Sequence, residues 1–315
     1  MGVDSPGLRL EMRPSAALLL VSLIVFVGCS GSRSVDKAAV QAAADGSSEG
    51  SSARKASRVR EVAEATVGVS SANAVAGAEE PFVSDPGAGG GSGYHADTVL
   101  GVRYASHDGY ERAVMDLGTG EDPAQTVPRW SLSSSRGDGL LRVTLPSANA
   151  TGVTEGRFGE GSLKSFHVVH APDGGLFVDY FARKAFRYRV LEVEDPARLV
   201  VDVKPAEAPL KAPLPAEGGE TVLVEPRSGA RISDPLIVSG YSRNFEASNT
   251  ITLADATGEV VARRIVHSND WSSTWGYFEA TLDLPPFSGE GALRVGTTSV
   301  RDGSFRGVEI PVRGS

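Results

Sequence analysis

The chain has 315 residues with 39 acidic and 31 basic side chains, a formal net charge of −8 and a single cysteine. An acidic chain without a long basic stripe repels phosphates, which excludes nucleic acid as an expected partner. One cysteine excludes disulfides within the chain, so buried apolar surface must stabilise the folded part, and the length suffices for two domains of ordinary size.

The amino terminus has the pattern of an export signal. Arg9 and Arg13 form a basic stretch ahead of the apolar run from Ala16 to Val27, which is the order found in signal peptides. The run is shorter than the roughly 20 apolar residues that a membrane-spanning helix needs. The sequence therefore predicts a signal peptide over residues 1–28, cleaved before residue 29.

The cysteine follows this run directly. The stretch Phe26-Val27-Gly28-Cys29 resembles a bacterial lipobox, with phenylalanine where leucine is usual. The resemblance implies a diacylglycerol on the Cys29 thiol, with acyl chains such as palmitate. Two acyl chains hold a protein stably on a membrane, because each buried methylene contributes about 0.8 kcal/mol. We therefore expect an exported lipoprotein, anchored to the outer face of the cell membrane.

Residues 29–96 are rich in alanine, glycine and serine, as in the run Gly87 to Gly93. Such a composition buries too little apolar area to offset chain entropy, so it predicts a disordered tether. A flexible coil of this length has a root-mean-square reach of roughly 45 Å. The tether would lift the following domains off the membrane.

Residues 97–205 change to short runs of β-branched and aromatic residues separated by turn clusters such as Asp108-Gly109. This alternation is typical of an all-β domain. Residues 206–219 hold three prolines, directly after Pro205, and predict a semi-rigid linker. Seven further predicted strands in residues 220–315 favour an immunoglobulin-like sandwich. The predicted fold class is thus all-β, with two β-sandwich domains in tandem.

Four stretches carry a family resemblance in the first domain. They are Val102-Arg103, His107 to Arg112, Phe177 to Tyr180 and Pro196 to Val203. This region resembles an AMIN-like domain. The resemblance implies a β-sandwich associated with localisation and peptidoglycan binding, here without an attached amidase.

Five stretches carry a resemblance in the second domain. They are Pro226 with Gly229, Pro235 to Gly240, Phe245 to Ala247, Trp275 to Phe278 and Ser299 to Ser304. This region resembles the Gmad-type immunoglobulin-like domain of bacterial spore-germination and envelope proteins. The resemblance implies a fold and a setting in the envelope, and it implies no chemistry.

No motif indicates catalysis or a cofactor. The sequence lacks a Walker loop and an H-E-x-x-H helix, and no G-x-S-x-G pattern falls at a predicted strand-to-helix turn. His167 and His170 have a metal-like spacing, but they lie in a predicted strand, where residues three apart point to opposite faces. We therefore expect no catalytic residue, no bound metal and no enzyme activity.

Aromatic and arginine side chains are the candidate ligand contacts, because exposed rings stack on the apolar faces of sugars and guanidinium groups pair with carboxylates or phosphates. The candidates are Tyr104, Tyr110, Arg112, Trp130, Tyr180, Trp271 and Trp275. The alternative for each ring is an ordinary place in a sandwich core. Trp271 is the preferred candidate because its polar neighbours Asn269, Asp270 and Ser272 indicate a loop.

These observations together favour a non-catalytic envelope lipoprotein whose domains bind cell-wall polymer, either peptidoglycan or another envelope polysaccharide. An adaptor that docks other envelope proteins, related to sporulation or germination proteins, is the alternative. Both hypotheses place the membrane contact at the lipid on Cys29.

Overall fold

The computed structural model describes residues 81–84, 87–134, 137–299 and 301–315. The predicted signal peptide, Cys29 and the tether up to residue 80 lie outside these ranges. Within them the chain is all-β as predicted, and its one helical segment is the 3-10 turn Phe245–Ala247. None of the helical structure in this part of the chain has the length and apolar character needed to cross a membrane.

Among the described residues, twelve strands precede the proline-rich segment. They are β1 (Gly87–Gly90), β2 (Thr98–His107), β3 (Tyr110–Thr119), β4 (Asp122–Pro123), β5 (Trp130–Ser134), β6 (Leu140–Leu145), β7 (Ala150–Thr151), β8 (Glu155–Arg157), β9 (Leu163–His170), β10 (Leu176–Ala182), β11 (Phe186–Val193) and β12 (Arg198–Pro205).

Nine strands form the rest. They are β13 (Ala216–Gly218), β14 (Thr221–Glu225), β15 (Arg231–Ile232), β16 (Leu236–Ser242), β17 (Ser248–Asp255), β18 (Val260–His267), β19 (Trp275–Leu282), β20 (Gly289–Thr298) and β21 (Phe305–Gly314).

The first sandwich packs two sheets around one core. A six-stranded sheet has the order β11-β12-β3-β2-β7, with β4 beside β3. It faces the run β1-β5-β6-β10-β9 of a ten-stranded sheet, in which β8 also pairs with β9. Met115, Val143 and Val201 are fully or almost fully buried in the core between them.

The second sandwich uses the remainder of the same ten-stranded sheet. Its strands β19-β16-β14-β13 face a five-stranded sheet of order β15-β21-β20-β17-β18. Val238, Phe278 and Ile251 lie in a separate core between the two layers. The immunoglobulin-like sandwich predicted for this region is therefore present.

The two sandwiches share a sheet because β9 and β19 pair in parallel, with Val169 opposite Trp275 and His170 opposite Gly276. The adjoining part of the same edge of β9 pairs with the short strand β8, from Ser165 to His167. Strand β8 thus pairs with only part of this edge of β9, and β19 of the second domain pairs with the adjoining part. Tandem sandwiches were expected, but the continuous sheet between them was not.

A third apolar cluster lies across this junction. It joins Val169, Phe177 and Phe181 of the first domain to Tyr241 and Trp275 of the second, all almost fully buried. Side chains alternate along β10, so Val178 and Tyr180 enter the first core while Phe177 and Phe181 enter the junction cluster. Every residue of β10 is buried for this reason.

The predicted linker is part of the packed structure. Lys211 donates its backbone N–H to the carbonyl of Gly137 at 2.6 Å, and Leu214 packs against the junction cluster. Residues 216–218 form β13, which pairs with β14. Prolines exclude a helix here and reduce the number of backbone donors, but they do not prevent the segment from lying along the folded domains.

The predicted tether ends earlier than residue 96. Gly87–Gly90 pairs antiparallel with β5, and a Cβ on Gly90 would lie 2.2 Å from Glu192 Oε1. Gly91 adopts φ 76°, a conformation that L side chains rarely adopt. The glycine run therefore serves close packing against the first sandwich, which its composition alone did not distinguish from disorder.

The junction cluster predicts that both sandwiches unfold as one unit. Phe181→Ala should lower the free energy of unfolding by about 3–5 kcal/mol, because it leaves a cavity in a cluster that both domains build. Calorimetry should show a single transition that moves to lower temperature. Two separated transitions, of which only one shifts, would contradict this coupling.

Candidate ligand-binding site

Three of the predicted ligand-binding rings have no exposed face. Trp130, Tyr180 and Trp275 are only 6%, 1% and 3% exposed, so as stacking platforms for a sugar they were predicted wrongly. Trp130 donates its indole N–H to Glu192 Oε1 at 2.7 Å. Tyr180 belongs to the first core and Trp275 to the junction cluster. Side chains alternate between the two faces of a strand. In each of these three strands, the face that carries the ring is covered by other parts of the protein.

Tyr104 is half-buried and engaged within the first domain. Its ring stacks on Phe158 with centroids 4.9 Å apart, and its hydroxyl donates to Glu111 Oε2 at 3.1 Å. Burial and the neighbouring Glu111 raise the pKa of Tyr104 to about 12. These contacts indicate that Tyr104 stabilises the fold of the first domain.

Tyr110 and Arg112 lie together on the outer side of the six-stranded sheet. The Tyr110 ring stacks on His107 at 4.7 Å, and the Arg112 guanidinium lies 5.6 Å from the Tyr110 centroid. Arg112 donates twice to Asp202, at 2.6 and 2.9 Å. Because this carboxylate already occupies the fork of the guanidinium, Arg112 serves the fold.

Trp271 is exposed, as predicted, and it has an aromatic neighbour. Trp271 is 38% and Phe245 is 72% exposed, and their rings meet edge to face with centroids 5.2 Å apart. We call this pair the aromatic platform. The sequence did not single out Phe245 as a ligand contact, because one phenylalanine between two strands gives no sign that it faces solvent.

A hydrogen-bonded turn holds Phe245 in place. Glu246 and Ala247 have φ of 56° and 57°, a left-handed conformation that costs a residue other than glycine about 1–3 kcal/mol. Buried Asn244 fixes the start of the turn, since its amide donates to Asn249 Oδ1 at 2.7 Å. The Asn249 amide in turn donates to the Ala247 carbonyl at 3.1 Å.

Asp270 organises the loop that carries Trp271. Its carboxylate accepts the backbone N–H groups of Trp271 at 2.6 Å, Ser272 at 3.0 Å and Thr274 at 2.9 Å. Partial burial raises the pKa of Asp270, but the hydrogen bonds from Ser273 and these backbone groups outweigh it and hold the pKa well below its ordinary value. The carboxylate is therefore ionised whenever the loop is formed.

The same loop contacts the first domain. The Asn269 amide donates to the carbonyls of His170 at 3.2 Å and Ala171 at 3.0 Å. His170 Nε2 lies 3.5 Å from Asp270 Oδ2. The aromatic platform is thus held at the junction by contacts from both domains.

The aromatic platform can bind an apolar surface, but few side chains beside it could act as an acid, a base or a metal ligand. Two exposed rings at an angle present an apolar surface with a polar rim. His170 faces the Asp270 loop, whereas His167 packs against Phe181, Tyr241 and Trp275. In the part of the chain that the structure describes, no three His, Cys, Asp or Glu side chains are grouped to hold a metal ion.

Comparison with known proteins identifies the second domain. Residues 221–304 match the family model Gmad2, the immunoglobulin-like domain of bacterial spore germination. The resemblance predicted for this domain is therefore confirmed. The AMIN-like resemblance of the first domain stays a prediction.

A stretch of 160 residues is 31% identical to the ribosomal protein L11 methyltransferase of Thermus thermophilus. The match covers 49% of this chain and 63% of that protein, so the chain spans less than two thirds of that relative. No solved structure matches the chain.

Asp270→Ala should loosen the aromatic platform and lower the free energy of unfolding by about 2 kcal/mol, because several N–H groups lose a charged acceptor. The contribution of a carboxylate with a lowered pKa is complete above its unfolded pKa of about 4 and is lost at lower pH. The stability difference from the unsubstituted protein should therefore be constant from pH 5 to 8 and shrink below pH 4.

Denaturant titrations across pH measure this difference, and Trp271 fluorescence reports the loop. Asp302→Ala is the matched control, because Asp302 accepts hydrogen bonds from Ser304 in an exposed turn of the same domain. An Asp270→Ala protein with unchanged stability would show that the carboxylate does not organise the loop.

Proposed function

We propose that this chain is a non-catalytic, lipid-anchored envelope protein that binds cell-wall polymer through the aromatic platform. The match of residues 221–304 to an immunoglobulin-like domain of spore germination supports a germination-related role in the envelope. The lipobox-like stretch ending in Cys29 supports a membrane anchor. The single observation that carries polymer binding is the exposed pair Phe245 and Trp271.

Two features distinguish this pair from the isolated exposed hydrophobic side chains that are common on protein surfaces. Phe245 is exposed on a turn with two left-handed residues, and backbone strain of this kind persists only where surrounding contacts maintain it. Trp271 lies on a loop fixed by Asp270. Rings held in place before binding lose little freedom on contact with a sugar, which favours affinity.

Removing the aromatic platform should weaken binding to wall polymer. Phe245→Ala with Trp271→Ala should reduce co-sedimentation of the full chain with purified sacculi at least tenfold, since the stacking surface is lost. Phe305→Ala is the matched control, because Phe305 is another exposed ring of the same domain, at 37% exposure. Equal sedimentation of the double variant and the control would contradict binding through the platform.

The alternative is a protein-interaction adaptor, and the edge strand β18 favours it. This strand ends the five-stranded sheet and exposes Val260 and Ile265 by 55% and 59%. An open strand edge can accept a strand from a partner. A photocrosslinker at residue 265 that captures one defined envelope protein in cells, together with empty sacculus pulldowns, would establish the adaptor instead.

The anchor makes a separate prediction. Cys29→Ala should move the protein from the membrane fraction to the soluble extracytoplasmic fraction, because the thiol that carries the acyl chains is absent. Fractionation followed by immunoblotting measures this change, and mass spectrometry of the amino-terminal peptide checks the lipid. An unchanged membrane fraction for the variant would exclude Cys29 as the anchor.

A further inference from the structure

A cleft of about 430 Å³ opens where the two sandwiches join. Strands of both domains line it, with Glu155 and His167 from the first and Glu217, Thr221 and Trp275 from the second domain and the segment before it. Its size falls in the range of about 300–1,000 Å³ that is usual for small-molecule sites. The cleft and the aromatic platform use different side chains.

Two buried ring nitrogens belong to side chains that line this cleft. His167 Nδ1 forms no hydrogen bond with any residue that the structure describes. Trp275 Nε1 forms none of good geometry there, although Trp275 lies close enough to Glu155 to act as a hydrogen-bond donor to its carboxylate. His167 and Trp275 are only 5% and 3% exposed. Buried polar atoms are almost always paired, with protein or with a bound molecule. Because both atoms are also shielded from solvent, a guest hydroxyl would reach them after a small movement of the two rings, and hydrogen bonds with the guest would then satisfy them.

The cleft carries charges of both signs. Burial and Glu220 raise the pKa of Glu155, and Arg243 opposes them. Glu217 accepts from Lys164 at 3.2 Å and lies 3.8 Å from Arg157. Burial, with Lys164 and Arg157, lowers the pKa of His167 to about 3, so its ring is neutral at neutral pH. An anionic guest would be repelled by Glu155 and Glu217, and a cationic guest would be repelled by Arg157 and Lys164, whereas a neutral polar guest avoids both costs.

We propose that this cleft is a second binding site, which takes one uncharged sugar unit of a wall glycan. A hydroxyl group both donates and accepts, so it can pair with either tautomer of the neutral His167 ring and can accept from the Trp275 indole N–H. The carboxylates of Glu155 and Glu217 and the hydroxyls of Ser165 and Thr221 line the same space and suit further sugar hydroxyls. The choice of a sugar rests on the proposed polymer binding, but the site itself does not.

The three tryptophans of the chain make the test direct. Each contributes one indole N–H signal to a ¹H–¹⁵N spectrum of the full chain, assigned by single Trp→Phe variants. Titration with the β-1,4-linked tetramer of N-acetylglucosamine should shift the Trp275 signal saturably. The Trp130 signal is the internal control, because its N–H is bound to Glu192, and it should stay in place.

Variants separate the cleft from the aromatic platform. The Trp275 shift should persist in the Phe245→Ala, Trp271→Ala double variant, whereas the Trp271 signal reports the platform in the unsubstituted chain. His167→Phe keeps an aromatic ring in the cluster and should weaken the binding seen at Trp275 about tenfold, as expected for lost buried hydrogen bonds. Tyr241→Phe, which removes a buried hydroxyl of the same cluster, near Asp179, should leave it unchanged.

Each failure has its own signature. A Trp275 signal that stays in place while Trp271 shifts overturns the cleft site and leaves polymer binding by the platform intact. A Trp275 shift that disappears in the platform double variant also overturns it, because the shift would then be indirect. In the unsubstituted chain, a Trp275 signal that shifts while the Trp271 signal stays in place overturns binding by the platform, and with it the proposed function, and supports the cleft.

Discussion

The parallel contact between β9 and β19 is the constraint on which the rest of the structure depends. Only two residue pairs form it, yet it turns two sandwiches into neighbours within one sheet. The junction cluster, the Asp270 loop and the cleft all lie beside this contact. Its strength comes less from the two pairs than from Phe177, Phe181, Tyr241 and the other buried rings behind them.

The two proposed contacts with polymer follow from this junction in different ways. The aromatic platform belongs to the second domain, but Asn269 ties its loop to carbonyls of the first. The cleft has walls from both domains and would not exist in either alone. A ligand that engaged both would meet surfaces with a fixed mutual position, which lowers the ordering cost of binding a second sugar.

The sequence predicted the all-β class, the second domain and the exposure of Trp271, since strand alternation and local polarity are properties of neighbouring residues. It could not predict that Phe245 contacts Trp271 or that His167 meets Trp275, because these contacts join distant segments. Trp275 was misplaced as an exposed ring for the same reason: residues of the first domain cover its outer face. The glycine run before Gly91 was misjudged because close packing and disorder favour the same residue.

The entry of the chain through β1 has a mechanical consequence. In a protein held at Cys29, a pull between membrane and wall reaches Val83 first, whose backbone forms two hydrogen bonds with that of Tyr188. It reaches β1 next, which is the end strand of the shared sheet, with only four residue pairs to β5. Such a strand can peel away while the cores behind it stay intact. Detachment of β1 would lengthen the flexible segment between Cys29 and the first domain. The load would then be taken up before either proposed ligand contact is broken.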